Sequence, residues 1–439
     1  MVCSTEPGHL THPWEAPLGP LEKGVPGHAG EIPLDQVGER RWSVLAEDLP
    51  LPVAVIKTSA LRHNSAWMKD FAERYRVGLA PNGKTTLCPA LFDLQLADGA
   101  WGISLATPHQ LQIARRSGYR RILLANQLIG KSAIEWVIEE LRRSPDFEFY
   151  CLVDSSANVE QLALIARRRS LSRPLRVLVE MGFEGGRTGC RTVEQAVSIA
   201  GLVAKNSDVL ALRGVEGYEG IIRERTDEVT VARVDSFLDS ILACAQECVH
   251  GGYFADGEVL LTAGGSAFFD RVSAKLSAAA LNRTTLVLLR GGCYLTHDSV
   301  LYARSFEKLR NRASAEADMG AGLLPALEVW AYVQSTPEPG LAIAAMGKRD
   351  VSFEEMPMPL KWYRPGGEMS APIPVGHGYS VSRLNDQHCY LNVPNNCELR
   401  VGDMVGFGIS HPCLTFDKWR VLHLIDDTYR VTGSVRTYF

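Results

Sequence analysis

The stretch Val77-Gly78-Leu79-Ala80-Pro81-Asn82-Gly83-Lys84-Thr85-Thr86 is a short apolar run that ends in a glycine and a lysine. It reads as a strand with an amine at its C-terminal edge. Seven more strand-like runs follow: Gly102–Ala106, Ile122–Asn126, Phe149–Asp154, Val177–Met181, Leu212–Tyr218, Val259–Thr262 and Leu286–Arg290. They are short and mostly apolar, as strands buried on both faces should be. Helix-like stretches separate most of them: Pro108–Ser117, Ser132–Arg143, Val159–Arg169, Val193–Val203, Val231–Cys248 and Ala274–Leu281. Such alternation predicts a parallel sheet. The strand count favours an α/β fold of the (β/α)8 barrel type, although an open doubly wound sheet fits the same pattern. In a barrel, a polar residue at the C-terminal end of a strand usually does chemistry. A partly buried lysine with a lowered pKa suits Schiff-base formation.

Upstream, Leu51–Lys57 reads as a strand and Ala60–Tyr75 as an amphipathic helix, with Leu61, Trp67, Phe71 and Tyr75 at near-helical spacing. Residues 1–45 are rich in Pro, Gly and His and lack periodicity, which predicts an extended arm ordered against another surface. Downstream of about residue 315 the texture changes. Trp330–Ser335, Tyr390–Val393 and Tyr429–Val435 alternate or carry β-branched residues, broken by Gly and Pro. The expected organisation is therefore an arm at 1–45, a barrel at 46–315 and a mostly β domain at 316–439.

A chain of 439 residues is long enough for a barrel and a second domain. Apolar content of 46% and charge of 22% are those of a soluble globular protein. A net charge of −4, with no run of Lys or Arg, gives no reason to expect nucleic acid. No apolar stretch approaches the roughly 18 residues of a membrane helix, and the start has no basic region followed by an apolar one. The ten cysteines form no CxxC pair, which points to reduced thiols in a cytoplasmic enzyme.

Two glycine-rich loops stand at consecutive strand ends. Thr262-Ala263-Gly264-Gly265-Ser266 follows the seventh strand, and Arg290-Gly291-Gly292-Cys293-Tyr294 follows the eighth. Loops in those two places are the usual phosphate site of such barrels, with glycines allowing close backbone approach. Plain turns explain either loop taken alone. A phosphate site opposite a mouth lysine suggests pyridoxal 5′-phosphate, an electron sink that the protein must orient. Arg187 and Tyr218 follow the fifth and sixth strands, where either can face the coenzyme or stand as an ordinary surface residue. His411-Pro412-Cys413 supplies an imidazole and a thiol at i and i+2, which in an extended chain point to one side. That is half of a tetrahedral N/S site and favours zinc, with two positions left open. His388-Cys389 can add at most one further ligand.

The Pro81–Thr85 segment, the Arg187-Thr188-Gly189 turn, the Tyr218-Glu219-Gly220 turn and His411-Pro412-Cys413 occur in an order that resembles the D-serine dehydratase and D-threonine aldolase family. These are pyridoxal phosphate enzymes of the alanine racemase fold, and the similarity runs from about residue 45 to the end. It implies a homodimer with Lys84 as the Schiff-base residue and the Gly264–Ser266 loop on the phosphate. It also implies Tyr218 near the pyridine nitrogen, with a divalent metal, zinc before manganese, on His411 and Cys413. Where the family commonly has histidines two residues before and two after the lysine, this chain has Asn82 and Thr86.

The resemblance implies a lyase acting on a D-amino acid with a β-hydroxyl. A thiolate at 413 goes with loss of water to give a 2-oxo acid and ammonia. The alternative is retro-aldol cleavage to glycine and an aldehyde, and a third reading is a coenzyme-binding protein without turnover.

Overall fold

A computed structural model describes residue 12, residues 15–312 and residues 320–439. Contacts group the chain into two compact units. One comprises the described parts of Met1–Met68, Thr85–Asp98 and Cys293–Phe439; the other comprises Lys69–Lys84 and Gly99–Gly292. The first strand, β1 (Val53–Lys57), belongs to the former.

The second unit contains the eight expected strands: β2 (Gly78–Leu79), β3 (Ile103–Leu105), β4 (Arg121–Gln127), β5 (Glu148–Val153), β6 (Leu175–Met181), β7 (Leu210–Gly217), β8 (Val259–Ala263) and β9 (Thr285–Leu289). They are parallel, in the order β2-β9-β8-β7-β6-β5-β4-β3. The two ends of that order also meet. Trp101 N–H donates to the Leu79 carbonyl at 2.7 Å and Ser104 N–H to the Pro81 carbonyl at 3.0 Å, beside a parallel Asn82–Ser104 bridge. These bonds close a barrel and exclude the open sheet. Leu123, Tyr150, Leu152, Leu178, Leu260 and Leu288 fill its interior.

The crossover helices start where side chains satisfy the free N–H groups of a first turn. Thr107, Ser155, Thr192 and Thr226 each accept from the residue three further on. The helix expected at 274–281 runs instead over Phe269–Ser277, because Phe269, Val272 and Leu276 carry the buried face.

The other unit is built on β10 (Leu327–Glu338), β11 (Leu341–Ala344), β12 (Met358–Tyr363), β13 (Ile373–Pro374), β14 (Ser380–Leu384), β15 (Cys389–Asn392), β16 (Met404–Gly408), β17 (Val421–Ile425) and β18 (Val431–Arg436). β1 lies in the same sheet, antiparallel to β10 and parallel to β17. It is a central strand of the β unit, although it precedes the barrel in sequence.

The described part of the N-terminal arm belongs to this unit's core. Leu18, Val25, Ile32, Leu34, Val37 and Val44 pack in one cluster with Val53, Val55, Trp330, Val421 and Tyr429. Each such burial contributes about 1.5–3 kcal/mol, more than the surface ion pairs nearby. Lys23 lies 3.6 Å over the Trp419 ring and 2.6 Å from the buried Asp350. Gly24 has a φ of +85°, and a Cβ there would stand 3.1 Å from Val53 Cγ2.

His423 ties the arm to the sheet. Its Nε2 bonds the Gly24 carbonyl at 2.8 Å and its Nδ1 bonds Ser434 Oγ at 2.7 Å. Burial pushes its pKa down to about 4, with the Gly24 bond opposing. Above pH 6.5 the ring is neutral in both folded and unfolded chains. Below that, the unfolded chain takes the proton and the folded one resists, so stability falls as pH drops from about 6.5 to about 4. The loss from this one group is of the order of 3 kcal/mol. Thermal melts across that range should show a shallower pH dependence in His423→Asn than in the wild type; parallel curves would remove His423 from this role.

Candidate active site

Lys84 stands on a single turn, Gly83–Thr85, just beyond β2. Its backbone N–H donates to Asn82 Oδ1 at 3.2 Å, so the residue in place of a family histidine shapes the turn. Thr86, the other departure, is buried. The Lys84 side chain is exposed, against the expectation of a partly buried amine. It lies past the last strand pair, outside the layer of packed side chains.

Arg187 stacks over the Tyr218 ring, with Cζ 4.1 Å from its centroid. The structure thus brings these two expected residues together. A Cβ on Gly265 would stand 3.1 Å from Tyr218 Cε2, so the ring lies against that glycine.

The phosphate loops differ in detail from the expectation. The amides of Gly264 and Gly265 donate to the two oxygens of Glu219 at 2.9 and 2.8 Å. Thr262 is fully buried and donates its hydroxyl to the Leu288 carbonyl at 2.9 Å. Among the described residues, no hydrogen bond engages the amides of Ser266, Gly291 or Gly292. Ser266 Oγ would lie 3.2 Å from a Cβ added to Gly291. That is a cradle a side chain would fill, with a hydroxyl and unpaired amides around it, and it fits a phosphate. Tyr294 was expected beside the phosphate. It is 4% exposed, and its hydroxyl accepts from Gln95 Nε2 at 3.2 Å in the β unit.

Sequence reading missed a group of buried acids at the ends of β6 and β7. Glu216 pairs with Arg290, which also donates to the Gly217 carbonyl at 2.8 Å. Glu180 accepts from Thr188 Oγ1 at 2.7 Å and from Gln127 Nε2 at 2.5 Å. Burial pushes the Glu216 carboxyl up to about 8, with Arg290 pulling the other way. Burial likewise raises Glu180 and Glu219. The criterion that singled out Lys84, a polar residue at a strand's C-terminal end, would also have found Glu180 and Glu216.

In the β unit, Cys293, His411 and Cys413 converge, their ligand atoms all within 4.8 Å of one another. Sequence reading placed Cys293 with the phosphate; the structure sets its sulfur 3.7 Å from that of Cys413. The extended geometry expected at 411–413 is absent. Pro412 is helical, with φ −59° and ψ −48°, and Cys413 opens a one-turn helix, Cys413–Phe416. Carbonyl 412 accepts from the amides of Thr415 and Phe416, which favours the turn over the strand. Cys389 is buried in β15 and His388 is exposed, and neither joins the cluster.

The surroundings fix the imidazole. His411 Nδ1 lies 2.6 Å from Glu354 Oε2, and the Tyr302 ring meets the imidazole edge-on at 5.7 Å. Asp298 Oδ1 caps the helix that carries Tyr302, accepting from the amides of Val300 and Tyr302 at 2.9 Å. Burial alone would lower the His411 pKa, but bonds to Cys413 and Glu354 push it up to about 9. The Cys293 contact and His411 hold the Cys413 thiol well below its ordinary range. Cys413 Sγ also lies 3.4 Å from Thr85 Oγ1. An acidic thiol, a positioned imidazole and a second thiol can hold a divalent metal.

Comparison with known proteins gives the class. Residues 56–253 match the alanine racemase N-terminal domain, and residues 326–425 match a putative serine dehydratase domain. A D-threonine aldolase of an Arthrobacter species is 24% identical over 345 residues, covering 78% of this chain and 80% of that one. Among solved structures, D-threonine aldolase of Filomicrobium marinum aligns with a TM-score of 0.72 at 21% identity, over 89% of this chain and 95% of that one. D-threo-3-hydroxyaspartate dehydratase of Delftia sp. HT23 aligns with a TM-score of 0.68 at 18% identity, over 90% and 99%. The chain thus joins an alanine racemase-type N-terminal domain to a serine dehydratase-type domain, and over most of its length it is similar to D-threonine aldolase and D-threo-3-hydroxyaspartate dehydratase.

Gly291→Ala should fill the cradle at Ser266. Loss of one phosphate contact, about 1–1.5 kcal/mol, should weaken pyridoxal phosphate binding roughly tenfold. Titration of the apoprotein with coenzyme checks this, and undiminished affinity would move the phosphate elsewhere.

Proposed function

We propose that this protein is a pyridoxal phosphate- and divalent metal-dependent lyase that removes water from D-amino acids bearing a β-hydroxyl, giving a 2-oxo acid and ammonia. The observation that carries this reading is the soft donor pair at His411 and Cys413, with its imidazole already oriented by Glu354. A thiolate there suits zinc-like ions better than the oxygen-loving ones.

Lys84 would hold the coenzyme through its amine, and Ser266, Gly291 and Gly292 would hold its phosphate. Pyridoxal phosphate supplies a sink for negative charge at the substrate α-carbon. The metal supplies Lewis acidity toward the β-oxygen. The chain's own work is positioning and proton transfer. Lys84 Nζ would also take the α-proton. The Cβ–O bond breaks and the hydroxyl departs as water with one proton. The released enamine hydrolyses to the 2-oxo acid and ammonia. Arg187 and Tyr218 form a stacked face for a planar ligand. Arg290, paired with Glu216 and bonded to the carbonyl of Gly217 just before Tyr218, would add positive charge near that face. The homodimer and the cytoplasmic setting are part of the same proposal. All cysteines among the described residues are free thiols, which supports the setting, and no helix among those residues is long and apolar enough to cross a membrane.

The aldolase reading keeps the same residues and breaks Cα–Cβ, and the Arthrobacter and Filomicrobium relatives support it. Incubation with D-threonine separates the two: 2-oxobutanoate and ammonia are expected, whereas glycine and acetaldehyde would establish cleavage. Neither product set, with coenzyme bound, would favour a protein without turnover. Lys84→Ala should lose the yellow absorbance of the coenzyme-loaded protein and all activity. A variant that stays yellow would assign the attachment to another lysine.

A further inference from the structure

We propose that Cys293 is a third protein ligand, making the metal site a Cys2His zinc centre with one open position; this rests on the metal-dependent reading above. The sulfurs of Cys293 and Cys413 are 3.7 Å apart. A disulfide would bring them to about 2.05 Å. Two Zn–S bonds of about 2.3 Å at the tetrahedral angle place their sulfurs about 3.8 Å apart. The observed separation, reached here by a thiol–thiol contact, lets both sulfurs take corners of one zinc tetrahedron with little movement.

The histidine supplies a third corner. Glu354 Oε2 holds His411 Nδ1 at 2.6 Å, which leaves Nε2 as the ligand nitrogen. A carboxylate on the far ring nitrogen is the usual support of a metal-binding histidine, fixing both tautomer and ring angle. Cys293 is 4% exposed and its carbonyl accepts from the His297 amide at 2.8 Å, so its backbone is held within the β unit. Two sulfurs and one nitrogen form a soft set that selects zinc over manganese or magnesium.

The third ligand changes what the substrate can do. With His411 and Cys413 alone, two positions stay open and a substrate can chelate through two oxygens. With Cys293 bound, a four-coordinate zinc offers one. The β-hydroxyl is then the sole contact, and a second oxygen on the β-carbon gains nothing from the metal. The site accordingly suits D-serine or D-threonine as well as a β-carboxylated substrate.

The test reads coordination, apart from activity. Zinc X-ray absorption of the loaded wild-type protein should show two sulfurs per zinc at about 2.3 Å. Cobalt-loaded protein should carry a thiolate-to-cobalt charge-transfer band that falls to about half in Cys293→Ala and in Cys413→Ala. One sulfur per zinc, or a full band in Cys293→Ala, would overturn the third ligand and leave the metal-dependent reading standing. If the wild type binds neither zinc nor cobalt, both fall. Should Cys293→Ala fail to fold, the absorption measurement on the unmodified protein decides alone.

Discussion

Strand β1 holds the middle of the β unit, with β10 along one edge and β17 along the other. At its end Lys57 lies 2.9 Å from the buried carboxylate of Glu328, and Lys361 approaches the same oxygen at 3.0 Å. The other oxygen accepts from Trp330 Nε1 at 2.9 Å and from the Tyr429 hydroxyl at 3.1 Å. Burial alone would raise Glu328, but the two ammonium groups win and hold it below its usual range. A buried charge so fully partnered contributes little net energy, yet removing one partner costs about 3–5 kcal/mol. The network therefore fixes which strands meet more than it adds to stability. Val53 pairs with Trp330 across the whole barrel sequence. Contacts that distant in the chain slow folding, because loop closure must come first.

The barrel was readable because its strands are buried on both faces and its helices amphipathic. Closure was not, since it turns on whether the carbonyls of Leu79 and Pro81 reach the amides of Trp101 and Ser104, which no pattern encodes. The surface that orders the arm was hidden for a similar reason. Leu18, Val25, Ile32 and Leu34 stand singly among Gly, Pro and polar residues, without the 3.6 or 2.0 period of a helix or strand, so their shared burial shows only in three dimensions. The helix Pro89–Ala97 escaped notice because it is apolar almost all round and has no face to detect.

The positions of Lys84, Ser266, Arg187 and Tyr218 beyond strand ends were legible. Combinations were less so. His411 and Cys413 were paired through an extended geometry, and a helical turn brings them together instead. Cys293 lies with them although His411 comes 118 positions later in the chain. The chain passes between its two units at Lys84–Thr85 and again at Gly292–Cys293.

Glu219 has a wider meaning for how such a protein is made. Its carboxylate grips two successive glycine amides with the chain's own bonds, so the loop after β8 keeps its shape from within. A newly synthesised chain can complete this turn before it meets any vitamin, and loading then costs little ordering entropy.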